Sequence, residues 1–266
     1  MEIEPTVREF DLISLAASCP VLTTRDDQYD FAWLLDAAHV SRRRGGRFRL
    51  VDSGTNDCVS LVWLAEAGAY IYTSDEARPD PKDVIEIQRA CRKGGSVASY
   101  YIYGPLNRPL FLDEAVELGR AGADFHLSNR EHRREADELL DLARACGRGR
   151  GRLVYYHHGR LEPLLQSAAE AGAWIHWSSA GAVPDQDYFL LKDILGAGRF
   201  SGAGLVIHLE EPWPAKLLGE LQAGGAFLRF HGPLAEADPG LAALWARAAR
   251  RAPDFQADYL HGDFLP

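Results

Sequence analysis

The sequence has only four lysines, Lys82, Lys93, Lys192 and Lys216, and none stands at the end of a strand-like run, so Schiff-base chemistry has no obvious amine. No G-x-G-x-x-G follows the first such run, which removes the usual dinucleotide signature. No apolar stretch approaches the roughly 18 residues of a membrane helix, so no membrane partner is expected. Cys19, Cys58, Cys91 and Cys146 include no C-x-x-C pair, which speaks against a zinc cage or a disulfide framework and for reduced thiols. Positive charge is also short: 29 Lys and Arg against 38 Asp and Glu leave a formal charge of −9, a poor field for a nucleic-acid partner. The one basic cluster, Arg42-Arg43-Arg44 with Arg47 and Arg49, reads as a helix C-terminus, where cations suit the dipole. Met1-Glu2-Ile3-Glu4 carries acid where a secretory signal carries base, so a cytoplasmic protein is expected.

What is present is a repeated grammar. With 47% apolar and 25% charged residues, the 266-residue chain can bury one large core. From Arg47 onward an amphipathic stretch, a glycine turn and a short apolar run ending in polar residues recur every 25 to 30 residues or so, roughly the length of one β/α unit. Glu66-Ala-Gly-Ala-Tyr-Ile-Tyr, Arg120-Ala-Gly-Ala-Asp-Phe-His and Glu170-Ala-Gly-Ala-Trp-Ile-His each put glycine after a helix, where a positive φ is needed, and start a strand at once. Strands are predicted at Phe48–Ser53, Ala69–Ser74, Val97–Tyr103, Asp124–Ser128, Leu153–His158, Trp174–Ser178, Gly204–Glu210 and Ala226–His231. Asp80-Pro81 and Asp238-Pro239 read as N-cap and first-turn proline pairs, and Ser128-Asn-Arg-Glu131 as a capping box. Eight strands alternating with helices predict an α/β fold, a single-domain (β/α)8 TIM barrel.

The expected organisation is an N-terminal extension over 1–46, the barrel over 47–252 and a tail over 253–266. Asp30–Arg44 reads as an amphipathic helix that plugs the barrel's N-terminal end or packs on an outer helix. The tail, ending in Tyr259-Leu-His-Gly-Asp-Phe-Leu-Pro266, has aromatics but no evident element.

Chemistry in this fold belongs to the C-terminal ends of strands. Strand alternation puts His126, His176, His208 with Glu210, and Arg229 with His231 on the inward face, opposite Phe125, Ile175, Ile207 and Leu228. Asp52 falls inward on the first strand, and the adjacent His157 and His158 must oppose each other, with either able to face in. Imidazole and carboxylate form the ligand set for a divalent zinc, manganese or iron ion. The leading expectation is therefore a metal-assisted hydrolase, lyase or isomerase acting on a small, non-phosphorylated polar substrate. His176, His208, Glu210 and His231 are its candidate ligands, Asp52, His126 or His157 its acid or base, and Arg229 orients the substrate. The same histidines also suit metal-free acid/base work. A phosphate is disfavoured because the seventh strand runs into Glu210-Glu211 rather than into glycine.

Two other classes stand beside it. A glycoside hydrolase would use Glu210 with Asp52 or Glu131, and retaining glycosidases of this fold resemble the chain slightly. Their Asn-Glu pair is interrupted here as Asn129-Arg130-Glu131. A non-catalytic barrel that binds a ligand or partner is the third. Metal-dependent amidohydrolases do not fit, since the first predicted strand reads Leu50-Val-Asp52-Ser53 rather than His-x-His. A homo-oligomer is compatible with all of these.

Overall fold

The computed structural model describes residues 5–108, 111–130, 132–231 and 239–251. Its elements are α1 (Pro5–Ser18), β1 (Val21–Arg25), a 3-10 turn (Asp26–Gln28), α2 (Phe31–Arg43), β2 (Arg47–Val51), α3 (Cys58–Glu66), β3 (Tyr70–Ser74), α4 (Pro81–Gly94), β4 (Ala98–Ile102) and α5 (Phe111–Ala121). Then follow β5 (Asp124–Ser128), α6 (Ala136–Gly149), β6 (Leu153–His157), α7 (Leu164–Glu170), β7 (Ala173–Ser178), α8 (Pro184–Ser201), β8 (Leu205–Leu209), α9 (Ala215–Ala223), β9 (Phe227–Phe230) and α10 (Pro239–Arg251). Helices and parallel strands alternate along the chain, which makes this an α/β fold built of repeated β/α units.

Contacts divide the chain into two compact units. The first holds residues 1–103, 107–125 and 148–151, and the second holds 104–106, 126–147 and 152–266. In the first, β1 to β4 pair in chain order, all parallel, with Thr23 beside Arg49, Arg49 beside Tyr70 and Ile71 beside Ala98. Its core packs Leu34, Phe48, Leu50, Leu64, Ile71 and Ile87. In the second, β6 to β9 pair in the same way. There Val154, Tyr156 and Trp174 form one apolar cluster, and the Trp174 ring lies over Gly204, where a Cβ would sit 2.4 Å from it.

The predicted strands from β2 to β9 all appear, shifted by at most two residues at either end. The predicted Asp30–Arg44 helix is α2. The difference lies before it. Residues 1–46, read as an extension with a single helix, also carry α1 and a ninth strand, β1, which pairs with β2. Val21-Leu-Thr-Thr-Arg25 is half polar and mostly exposed, as an edge strand is, and no glycine turn launches it, so it lacked the signal shared by the others.

Local chemistry explains the boundaries. Asp80 accepts from the Lys82 N–H at 2.9 Å with Pro81 in the first turn, and Asp57 accepts from the Ser60 N–H at 2.7 Å. Gly68, Gly122 and Gly172 in the three repeated turns have φ of 106°, 95° and 104°. The expected capping box did not form a cap: α6 starts at Ala136, and the Ser128 hydroxyl instead accepts from the Arg130 N–H at 3.0 Å in a tight turn. Glu131, the Asp238 cap and the tail lie outside the described residues. No described helix is long and apolar enough to cross a membrane.

Gly94 is fixed by packing rather than by φ. A Cβ there would come within 2.0 Å of the Ala65 carbonyl oxygen, where α4 crosses the end of α3. Gly94→Ala is expected to cost about 1–3 kcal/mol through forced backbone movement, read as a lower urea midpoint at unchanged slope.

Candidate functional site

The second unit assembles the histidines. Tyr156 stands beside His176 across β6 and β7, Ser178 beside His208 across β7 and β8, and His208 beside Arg229 across β8 and β9. Paired residues in parallel strands point to the same side of the sheet, so Tyr156, His176, Ser178, His208 and Arg229 share one face. His126, on β5, reaches the same group, its Nδ1 lying 3.0 Å from the Tyr156 hydroxyl.

Three of the rings form a continuous hydrogen-bonded row. His176 Nδ1 lies 3.2 Å from His208 Nε2, and His208 Nδ1 lies 3.0 Å from His231 Nε2. The Tyr156 ring is 4.8 Å from that of His176, centroid to centroid. The row runs from burial toward solvent: His176 and His208 are buried within their strands, and His231, just beyond β9, is half-buried. Glu210, exposed beyond β8, accepts from the Ser178 hydroxyl at 2.9 Å.

Electrostatics keep the row uncharged. Burial, then His126, Arg229 and Arg152, hold His176 well below the ordinary histidine value of 6.5. His208 is held well below it as well, by burial first and then by its two histidine neighbours, Arg229 and His158. His231 is lowered by burial and Arg229, with the Glu210 carboxylate pulling the other way. Three neutral imidazoles in a row admit two consistent proton arrangements. In one, His231 donates to His208 and His208 donates to His176; in the other, both bonds run in reverse. Moving one proton across each bond converts one into the other provided that His231 Nδ1 gains a proton and His176 Nε2 gives one up, so uptake at His231 is matched by release at His176.

His157, one of the expected acid/base residues, does not join this group. It pairs with Trp177 on the opposite face of the sheet, its Nε2 lies 2.7 Å from the Arg160 carbonyl oxygen, and its Nδ1 lies 3.4 Å from Asn129 Nδ2. Of the adjacent pair it is His158 that bears on His208. Tyr156, Ser178 and Arg152 were not singled out as site residues from sequence, and His158 was named only as the alternative to His157. Tyr156 and His158 share one parity, but only the register of β6 with β7 puts that parity on the histidine face.

Asp52 belongs to the first unit, in a different arrangement. Its carboxylate accepts from Thr73 Oγ1 at 2.7 Å, the Gly54 N–H at 2.9 Å, Arg78 Nε at 2.9 Å and Arg78 Nη2 at 3.1 Å. The same pattern precedes and follows it. Asp26, after β1, accepts from the Ser53 N–H at 2.9 Å and from Asn56 Nδ2 at 3.2 Å. Asp75, after β3, accepts from the Tyr103 N–H at 2.9 Å and Arg108 Nη2 at 2.8 Å. Three successive strand ends thus carry a buried aspartate that grips the loop after the next strand. The aspartates of the first unit are tied into structure, whereas the second unit presents a histidine chain.

Among the described residues, no group of three or more His, Cys, Asp and Glu side chains is arranged to hold a metal ion. His176, His208 and His231 are joined in a row through His176 Nδ1, both nitrogens of His208 and His231 Nε2.

No family model matches the sequence, and no curated protein does. Solved structures overlap it at low likeness. A Burkholderia cenocepacia protein provisionally named a lyase/mutase is 16% identical over 96% of this chain and 90% of its own, with a TM-score of 0.33. A 3-hexulose-6-phosphate synthase is 13% identical over 77% of this chain and 96% of its own, at 0.32. The tryptophan synthase α-subunit of Pyrococcus furiosus, as a mutant, is 12% identical over 76% and 94%, at 0.35. At these scores the reading of the site rests on its own geometry.

Proposed function

We propose that the second unit is an enzyme of proton-transfer chemistry, in the manner of a lyase or isomerase, acting on a small polar substrate at His231. The observation that carries this reading is the row His176–His208–His231, which leads from a half-buried ring at a strand end to two buried neutral ones. A histidine whose outer nitrogen meets substrate and whose inner nitrogen is backed by a second imidazole can accept or give a proton without leaving a charge on one ring. Arg229, on the same face, would hold a substrate carboxylate or steady a developing oxyanion. A metal-assisted version using zinc, manganese or iron on His176, His208, Glu210 and His231 would have to break at least one bond of the row, because both nitrogens of His208 are engaged in it, and this reading does without it.

The test needs no named substrate. The protein is incubated in D2O with a panel of small 2-oxo acids, 2-hydroxy acids and hydroxyketones, and NMR follows deuterium uptake beside the carbonyl or hydroxyl. Uptake in one compound class that is lost at least about 100-fold in His231→Ala is the expected result. Uptake by no compound, or uptake unchanged in His231→Ala, overturns the proposal. Uptake that requires added zinc or manganese replaces it with the metal-assisted form.

A further inference from the structure

The outer face of α8 presents an arrangement that packing among the described residues does not explain. Phe200 is 97% exposed and Phe189 67% exposed, although burying such rings is among the larger gains available to a protein. With Asp193 and Gly196 between them, at spacings of four, three and four residues, they line one stripe of the helix. Gly196 stands inside α8, where glycine weakens a helix relative to alanine, and a Cβ placed on it would meet nothing within 4 Å. Gly198, by contrast, has a reason within the chain, since a Cβ there would press on the Ala203 carbonyl oxygen at 3.2 Å. Beside the stripe lies an open groove of about 530 Å³ between α7 and α8, lined by Gln166, Glu170, Lys192, Gly196, Ala197 and Phe200 among others.

We propose that this face is a homodimer interface, in which α8 packs antiparallel on α8 of a second copy. The stripe is self-complementary about a two-fold axis at the level of Ile194 and Leu195. That axis sets Phe189 of each copy opposite Phe200 of the other, and Asp193 opposite Gly196. The two aromatic pairs flank the point where the helices come closest, and Gly196 is what lets them approach. Charge agrees with the same register. Lys192 stands opposite Ala197 of the other copy, and a helical side chain leans toward its own N-terminus, as the Lys192 ammonium does over the Tyr188 ring. In the antiparallel partner that direction leads to Glu170, at the far end of the groove. A patch that carries knob, hole, cation and anion together fits a second copy of itself, which is the geometry of an isologous dimer.

Sedimentation velocity on the full chain between about 1 and 100 μM tests this. The wild type is expected to be a dimer, and Phe200→Asp, at a position open to solvent, is expected to weaken it at least tenfold with an unchanged circular-dichroism spectrum. Gly196→Leu gives a second arm: it should raise the thermal midpoint of the monomer while weakening the dimer, an outcome that misfolding does not imitate. The register has its own readout. A mixture of Phe189→Cys and Phe200→Cys chains should form a disulfide-linked dimer on oxidation, and neither variant alone should do so. A monomeric wild type at 100 μM, a Phe200→Asp protein that still dimerises, or a Phe189→Cys chain that crosslinks to itself overturns the proposal.

Discussion

Asp52→Ala is expected to lower the free energy of unfolding by about 3–5 kcal/mol, the range for removing one partner from a buried ion pair. The Asp52 side chain is fully buried and that of Arg78 is 11% exposed, so the guanidinium left behind would have little water to turn to. Thr73 and the Gly54 N–H would lose their acceptor at the same time. Arg78 also donates to the Asn56 carbonyl, so the loop after β2 would loosen together with the loop after β3. Exchanging both partners for apolar residues, as in Asp52→Leu with Arg78→Leu, should cost less than the sum of the single changes, because no lone charge is then buried. Urea denaturation of the wild type, Asp52→Ala, the two single leucine variants and the double variant measures both quantities. A single-variant loss below about 1 kcal/mol would show that the pair behaves like an exposed one. The experiment also sorts the two roles open to Asp52. An acid or base would lose turnover in Asp52→Asn with little change in stability, whereas a residue held by four donors should lose stability first.

The fold was legible because its signal is repeated. Glycine at 68, 122 and 172 marks the passage from helix to strand, and the positive φ at each is a requirement that side-chain-bearing residues meet only with strain. Eight strands announced themselves through that turn chemistry and an apolar run. β1 has neither, and its pairing with β2 is a long-range fact that a local pattern does not carry. The division of labour between strand ends was half legible. Alternation put His126, His176, His208 and Arg229 on one face; the strand pairings have it so for the last three, and His126 meets Tyr156 of the same group, but alternation could not choose between His157 and His158 because parity needs a register with β7. Nor could it tell that the histidines bond to one another in a line rather than converge, since that depends on ring rotation within a packed sheet. Asp52 shows the same limit from the other side. Its place at a strand end was readable, whereas its grip on Arg78 depends on where the following loop returns.

His208→Gln should separate proton conduction from packing, with a fall in kcat of about 100-fold or more on whichever substrate passes the deuterium test. Glutamine keeps a donor and an acceptor in the middle of the row, so the fold can survive, but an amide does not hand a proton from one end of itself to the other at neutral pH. KM should change little, because His208 is buried behind His231 and does not meet the substrate in this reading. A second readout comes from acid. His176, His208 and His231 are all held below 6.5 in the folded protein, so below about pH 6.5 the unfolded chain binds protons that the folded one refuses. The contribution of the row to stability is therefore complete above that pH and is lost as pH falls beneath it. The thermal midpoint of the wild type should drop between pH 7 and 5, and His208→Gln, with one such group fewer, should drop less. A variant that keeps wild-type kcat and the wild-type slope in acid would remove His208 from both roles, whereas loss of kcat with a flatter acid slope ties turnover to the same uncharged imidazole that burial enforces.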